Sequence, residues 1–247
     1  MIPAHSMLHR FQRSGLVYSS LVSVLIVGLI LSALGLSVSQ VSSQGLSKAP
    51  FDVLVVLPAA KIQFASPALG DLDGDGVAEI VVGTSDGWVY AIRADRPEGT
   101  ILWAQSTATA INAVAPSATS TTIRAAITIA DLDQDGWNEV IVPVGDVFET
   151  AENGGLVIYD HTGQLVPGWP QLTYDRTATG QTAGIVSTPA VADLDADGDM
   201  EIITGAFDDR IYAWHYDGTL VTGWPRYVYD TVWSSPAVGD IDNDGLI

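Results

Sequence analysis

Cysteine is absent from all 247 residues. That excludes disulfides, thiolate zinc sites, cysteine nucleophiles and a lipid-anchored cysteine, so an exported form needs some other clamp. Positive charge is nearly as scarce. Ten Lys and Arg face 29 Asp and Glu, a formal net charge of −19. No basic patch exists to hold phosphates, which argues against nucleic acid as a partner. Acid is missing in one region: nothing before Asp52 is negative, while Arg10 and Arg13 stand near the start. Residues 14–39 carry no charge, are apolar through Leu21, Val24, Leu25, Ile26, Val27, Leu29, Ile30 and Leu31, and include small Ser37 and Ser39. A dense apolar run shorter than about 20 residues behind a positive flank predicts a cleaved export signal at 1–39, with an uncleaved anchor as the alternative. Either way everything after residue 45 faces outward. The membrane enters this reading only through that segment if it stays uncleaved.

What the chain has in excess is aspartate in one arrangement. The phrase DLDGDG begins at Asp71, DLDQDG at Asp131, DLDADG at Asp193 and DIDNDG at Asp240. Carboxylates at alternate positions closed by glycine suit Ca²⁺, which takes six to eight oxygens at about 2.3–2.6 Å. The candidate ligands of the first loop are Asp71, Asp73, Asp75, the Val77 backbone carbonyl and Glu79. Those of the second are Asp131, Asp133, Asp135, the Trp137 carbonyl and Glu139. The third offers Asp193, Asp195, Asp197, Asp199 and Glu201, and the fourth Asp240, Asp242 and Asp244. An EF-hand opens in the same way but needs a bidentate Glu at position 12 and flanking helices. Position 12 here is Val82, Val142 or Thr204, and the flanks are β-like. Without a cation these crowded carboxylates would repel one another, which argues against simple acidic turns.

The loops recur every 47 to 62 residues, as read from their starts, a period that belongs to propeller or solenoid arrays. Ahead of each lies a related apolar run: SPALG, AAITIA, STPAVA and SSPAVG. Behind the first three come EIVVG (79–83), EVIVPVG (139–145) and EIITG (201–205), short and β-branched as strands are. Hairpin turns then lead into Trp88–Ile92, Leu156–Tyr159 and Arg210–Trp214, and a fourth strand is expected to run to Trp103, Gly168-Trp169-Pro170 or Gly223-Trp224-Pro225. Four strands per unit predict an all-β fold of propeller blades over 62–247, three blades and the start of a fourth, after a linker at 40–61 with an outer strand at 52–58. No helical periodicity appears after residue 45, and 105–122 and 174–186 read as Thr/Ala-rich connectors. The last copy stops inside its loop, so the reading expects the front of a longer ring.

The D-x-D-x-D-G-x-x-E loop between two strands resembles the FG-GAP/VCBS repeats of integrin-α-type β-propellers over about residues 62–247. That resemblance implies one Ca²⁺ per loop-bearing blade and a role in adhesion or ligand binding. The Phe-Gly and Gly-Ala-Pro elements are not intact, with Gly205-Ala206 a partial echo, and position 9 is Glu where integrin-type loops more often carry Asp.

Other chemical signals are weaker. Gly83-Thr84-Ser85-Asp86-Gly87 matches G-x-S-x-G, but that elbow needs a strand entering a helix, and a hairpin is expected here. His161 and His215 read as structural, and no H-E-x-x-H motif occurs. Glu98–Trp103 is similar to quinoprotein blade repeats without their fuller motif. Trp88, Trp169, Trp214 and Trp224 read as blade packing, while Trp137 and Trp233, near loops, are candidates for stacking on sugars. No catalytic residue is expected. The function expected is a calcium-binding extracellular propeller with a protein or carbohydrate ligand. The alternative is the non-catalytic propeller part of a larger secreted enzyme.

Overall fold

The computed structural model describes residues 61–93, 100–115, 119–148 and 152–245 with the single positions 57 and 247. The expected export segment and nearly all of the expected outer strand at 52–58 lie outside the described residues. The chain divides into Met1–Ala59 and a compact unit, Ala60–Ile247, which is described here.

Three four-stranded antiparallel sheets follow one another along the chain. The first holds β1 (Ala68–Gly70), β2 (Glu79–Gly83), β3 (Trp88–Arg93) and β4 (Thr100–Ser106). The second holds β5 (Thr128–Ala130), β6 (Glu139–Val144), β7 (Gly155–Tyr159) and β8 (Gln171–Leu172). The third holds β9 (Ala190–Ala192), β10 (Glu201–Ala206), β11 (Arg210–Trp214) and β12 (Arg226–Tyr227). Each is a meander with strands in chain order, the blade pattern that the sequence predicts. The strands form where β-branched residues alternate between two apolar faces. On β6, Val140, Val142 and Val144 join the cluster shared with the first sheet, and Ile141 joins the one shared with the third. On β7, Val157 and Tyr159 face one way, Leu156 and Ile158 the other. A sheet buried on both faces reads as a continuous apolar run, and all six residues of β6 are buried.

Two expectations need correction. The connector at 105–122 contains an α-helix, α1 (Thr107–Val114), which buries Thr107, Ala110 and Ile111. Ile111 is fully enclosed in the cluster between the first two sheets. The fourth strands of the second and third sheets do not run up to the Gly-Trp-Pro turns. Leu165 and Leu220 make isolated bridges to Tyr159 and Trp214, and the paired strands β8 and β12 come after the turns. Both turns hold a cis Trp–Pro bond.

Neighbouring sheets are also joined by a repeated polar contact. Trp103 Nε1 donates to the His161 carbonyl at 3.0 Å, and Trp169 Nε1 to the Tyr216 carbonyl at 2.8 Å. His161 and Tyr216 hold matching places, since Val140 pairs with Tyr159 and Ile202 with Trp214. Trp88 and Trp224, read as packing residues, lie nearer the surface, and Trp88 is 40% exposed.

Leu132 is the second residue of its loop yet has no exposed surface, sitting between the second and third sheets. Leu132→Ala is expected to cost about 2–5 kcal/mol, read as a lower denaturant midpoint with an unchanged slope.

Candidate metal centres

Each loop closes an inner hairpin. Gly70 pairs with Glu79, Ala130 with Glu139 and Ala192 with Glu201, so position 9 opens the second strand opposite the residue before the first aspartate. The same hydrogen bonds then recur. The position-6 amide donates to the first aspartate: Gly76 to Asp71 at 2.9 Å, Gly136 to Asp131 at 3.0 Å, Gly198 to Asp193 at 3.2 Å and Gly245 to Asp240 at 2.8 Å. The position-7 amide donates to Oδ1 at position 5, as Val77 to Asp75, Trp137 to Asp135 and Asp199 to Asp197 at 2.8–2.9 Å. Position 6 is glycine with positive φ in all four copies, +82° to +102°. Position 4 is left-handed too, but only the first copy has glycine there; Gln134, Ala196 and Asn243 adopt φ of 59–61°. An L-residue loses roughly 1–2 kcal/mol in that region.

Position 9 is the structural centre of each loop. Glu79 and Glu201 have no exposed surface, and Glu139 is 3% exposed. Oε2 of each accepts the position-2 amide: Leu72 at 2.9 Å, Leu132 at 2.8 Å and Leu194 at 2.6 Å. Because Leu72 and Leu132 are fully buried, this bond ties the loop to the core.

The structure brings Asp71, Asp73 and Glu79 together, likewise Asp131, Asp133 and Glu139, Asp193, Asp195 and Glu201, and Asp240, Asp242 and Asp244. In each group carboxylate oxygens lie within 4.8 Å of one another. Asp75 and Asp135 stand outside these groups, and Asp197 joins one with Asp195 and His215. Val77 and Trp137, expected to contribute carbonyls, are 42% and 37% exposed at the loop surface. Asp199 takes part through its amide, as above.

Charge decides what these groups can do. Burial pushes the Glu139 carboxyl up to about 7, with Asp133, Asp135 and Asp131 adding to the push and the Leu132 amide opposing it. Glu79 and Glu201 are raised for the same first reason, burial. Four buried oxygens in the three complete loops have no hydrogen-bond partner: Asp73 Oδ1, Glu79 Oε1, Asp131 Oδ1 and Asp193 Oδ1. Buried acceptors without partners are costly. A hard cation satisfies several at once, and an all-oxygen donor set fits Ca²⁺.

Sequence reasoning missed two residues at these cages. Arg93 NH1 lies 2.6 Å from Asp73 Oδ2, and its NH2 bonds Asp75. His215 Nδ1 lies 3.0 Å from Glu201 Oε1. The signal was register, since both stand directly opposite position 9 across the β2–β3 and β10–β11 ladders. His161 stacks on Trp137 at 4.4 Å between ring centroids, so Trp137 packs against its own sheet's turn. The G-x-S-x-G stretch is the β2–β3 hairpin, with Gly87 at φ +81°.

A second feature lies at the start of the inner strands. Phe64, Arg124, Val186 and Trp233 occupy one repeat position, seven residues before each loop's first aspartate. All four line one cavity of about 270 Å³, with Phe148. Arg124 bonds Asp146 through Nε at 3.2 Å and NH2 at 2.7 Å, and its guanidinium lies 5.3 Å from the Phe148 ring centroid. Phe64, Phe148 and Trp233 remain 75%, 56% and 57% exposed.

The sheets and loops define a β-propeller-type repeat array with aspartate-rich loops between the first two strands of each blade. Residues 193–247 match the model of the FG-GAP-like repeat, covering the third loop, β9–β12 and the fourth loop. No curated protein matches the chain. Among solved structures, the chain is similar to the V. cholerae biofilm matrix protein Bap1 at 24% identity and a TM-score of 0.45, covering 76% of this chain and 28% of that one. It is also similar to the Pseudomonas aeruginosa PilY1 C-terminal domain at 19% identity and a TM-score of 0.43, covering 61% and 29%. The chain thus spans under a third of each of these two.

Relieving left-handed strain at position 4 is expected to stabilise the fold. Ala196→Gly is expected to gain up to about 1 kcal/mol, and Gly136→Ala to lose at least that much. Urea unfolding of the two variants with chelator present measures both.

Proposed function

We propose that this chain is an extracellular propeller array whose loops each hold a Ca²⁺ ion and whose aromatic-lined cavity contacts a protein or carbohydrate ligand. The observation that carries the calcium reading is the unpartnered Glu79 Oε1, fully buried and aimed at Asp71 and Asp73. The matching clusters of Asp131, Asp133 and Glu139 in the second loop and Asp193, Asp195 and Glu201 in the third support it. When bound, the ion neutralises the crowded carboxylates and takes the place of hydration that burial has removed. The chain's own residues do the positioning. Position 9 holds the loop to the core, positions 6 and 4 turn it, and position 7 fixes the aspartate at position 5.

The outside location rests on the uncharged apolar stretch behind Arg10 and Arg13. It agrees with the absence of cysteine, because calcium then supplies the clamp that disulfides supply elsewhere. Calcium in outer media is abundant, and extracellular modules bind it at about 10⁻⁴–10⁻³ M. Ligand contact is assigned to Phe64, Phe148 and Trp233, whose exposed rings border the cavity at the start of the inner segments. Exposed aromatic rings clustered on one surface offer flat apolar faces to sugar rings or to partner side chains.

An ion bound only to the folded form adds about 2.7 kcal/mol per site at a hundredfold excess over Kd. The melting temperature is therefore expected to rise with millimolar calcium and fall in chelator. Asp133→Ala is expected to remove part of the calcium-dependent gain and to change melting in chelator far less. Equal destabilisation in both conditions contradicts the clamp, and a flat calorimetric titration removes the calcium reading altogether. For the ligand, Trp233→Ala is expected to abolish retention on a glycan or protein array while leaving calcium-dependent melting unchanged. Retention equal to the unaltered chain would move the contact elsewhere.

A further inference from the structure

The ladder registers place three different residues opposite the glutamate of the three complete cages. Ile80 pairs with Ile92, so Arg93 faces Glu79; Val140 pairs with Tyr159, so Asp160 faces Glu139; Ile202 pairs with Trp214, so His215 faces Glu201. One place in the blade thus carries a permanent cation, an anion and an imidazole. We infer that the cages are unequal, and that Arg93 is a tethered cation that weakens calcium binding in the first loop relative to the second. This inference rests on the calcium reading above.

The geometry separates the two loops atom by atom. In the first, Arg93 holds the Oδ2 atoms of both Asp73 and Asp75. Asp75 Oδ1 is already taken by the Val77 amide at 2.8 Å, so both oxygens at position 5 are engaged. In the second, Asp135 gives Oδ1 to the Trp137 amide. Asp160 turns its own Oδ1 to Thr162 and Gln164. Among the described residues, no arginine or lysine pairs with Asp131, Asp133, Asp135 or Glu139.

An ion entering the first cage must either displace the guanidinium from Asp75 or bind without that oxygen. It also meets a positive charge a few ångströms away. Arg93 has only 17% of its side chain exposed and Asp73 21%, so solvent screens this charge incompletely. A guanidinium forking two carboxylates is strong and well directed. Arg93 still leaves Asp73 Oδ1 and Glu79 Oε1 buried without partners, so it offsets the cage's charge without completing its coordination. The first loop therefore keeps its shape when calcium is scarce, whereas the second depends on the ion.

Calorimetric calcium titrations of the full chain, of R93Q, of R93K and of R93Q combined with D71N test this, with melting in chelator measured alongside. R93Q is expected to raise the affinity of one site by about tenfold or more, the scale of removing a nearby like charge. R93K, which keeps the charge, is expected to follow the unaltered chain. D71N added to R93Q is expected to cancel the gain, which assigns it to the first loop. In chelator R93Q is expected to melt lower than the unaltered chain, and in saturating calcium the gap is expected to close. An R93Q isotherm identical to that of the unaltered chain, or a gain that survives D71N, would overturn the inference while leaving the calcium reading intact. No binding heat from any of the four proteins would instead overturn the calcium reading, and this inference with it.

Discussion

A buried glutamate that must satisfy a backbone amide and a cluster of carboxylates at once is the constraint on which this fold turns. Register places it as the first residue of the second strand, where Glu79 faces Gly70 and Glu201 faces Ala192. One oxygen holds the amide of a leucine that is itself packed between sheets. The other oxygen of Glu79 is buried with no partner. Water cannot reach it, and the neighbouring aspartates repel it. The residue that secures the loop to the core therefore also leaves a buried, charge-crowded oxygen that a cation could satisfy. Core and cage are one object, and damage to either is felt by both.

That coupling extends from sheet to sheet. Asn138 of the second loop donates to the Asp71 carbonyl of the first at 2.9 Å, and Gln134 bonds the Gly198 carbonyl of the third. Burial, with the charge of Asp133 in the second loop adding to it, pushes the hydroxyl of Tyr216, two residues past β11, up to about 12. Apolar clusters shared by neighbouring sheets run alongside these links. In an array stabilised by nearest-neighbour interfaces, order imposed on one unit is passed to the next. In the proposed function, an ion in the second loop would thus firm contacts belonging to the first and third.

The strands were legible because their residue types leave little choice. EIVVG and EIITG are too short for helices, too β-branched to favour them, and bounded by glycine or aspartate. The loops were legible because carboxylates at alternate positions closed by a glycine mark a tight turn, and the structure draws the carboxylates of each turn together. Helix α1 was not. Thr107–Val114 has no charged face and no capping side chain, and only Ala110 and Ile111 among its apolar residues are buried, so its sequence looks like a connector. The fourth strands were misplaced because β8 and β12 are two residues long, too short to show alternation. Arg93 and His215 were missed for a different reason. Nothing near them in sequence refers to the loops. They reach the cages only through hairpin pairing, yet both follow their glutamate at the same separation, and that coincidence was readable in the sequence. In the second sheet an insertion between β6 and β7 breaks the separation and brings Asp160 to the same place.

The carboxylate clusters and the aromatic-lined cavity lie at opposite ends of the same inner segments. Each segment starts at Phe64, Arg124, Val186 or Trp233 and ends at the first aspartate of a loop, passing through a strand of three residues in the three complete sheets. Strands this short have little pairing of their own, and neighbouring segments are tied across by single bonds such as Thr128 Oγ1 to the Pro189 carbonyl at 2.8 Å and the Thr188 amide to Ser235 Oγ at 2.9 Å. Their direction is therefore set by what holds their ends. At one end, Arg124 is locked by Asp146 and covered by Phe64 and Phe148. At the other, a loop crowded with like charge holds its shape only if that charge is met. In the proposed function, a cation there fixes the inner strand, and the inner strand fixes the rings at its far end. The cavity lined by Phe64, Arg124, Val186 and Trp233, four different side chains at one repeat position, keeps its shape only if the four segments stay in register. In the proposed function, calcium acts on recognition through that register without touching the ligand.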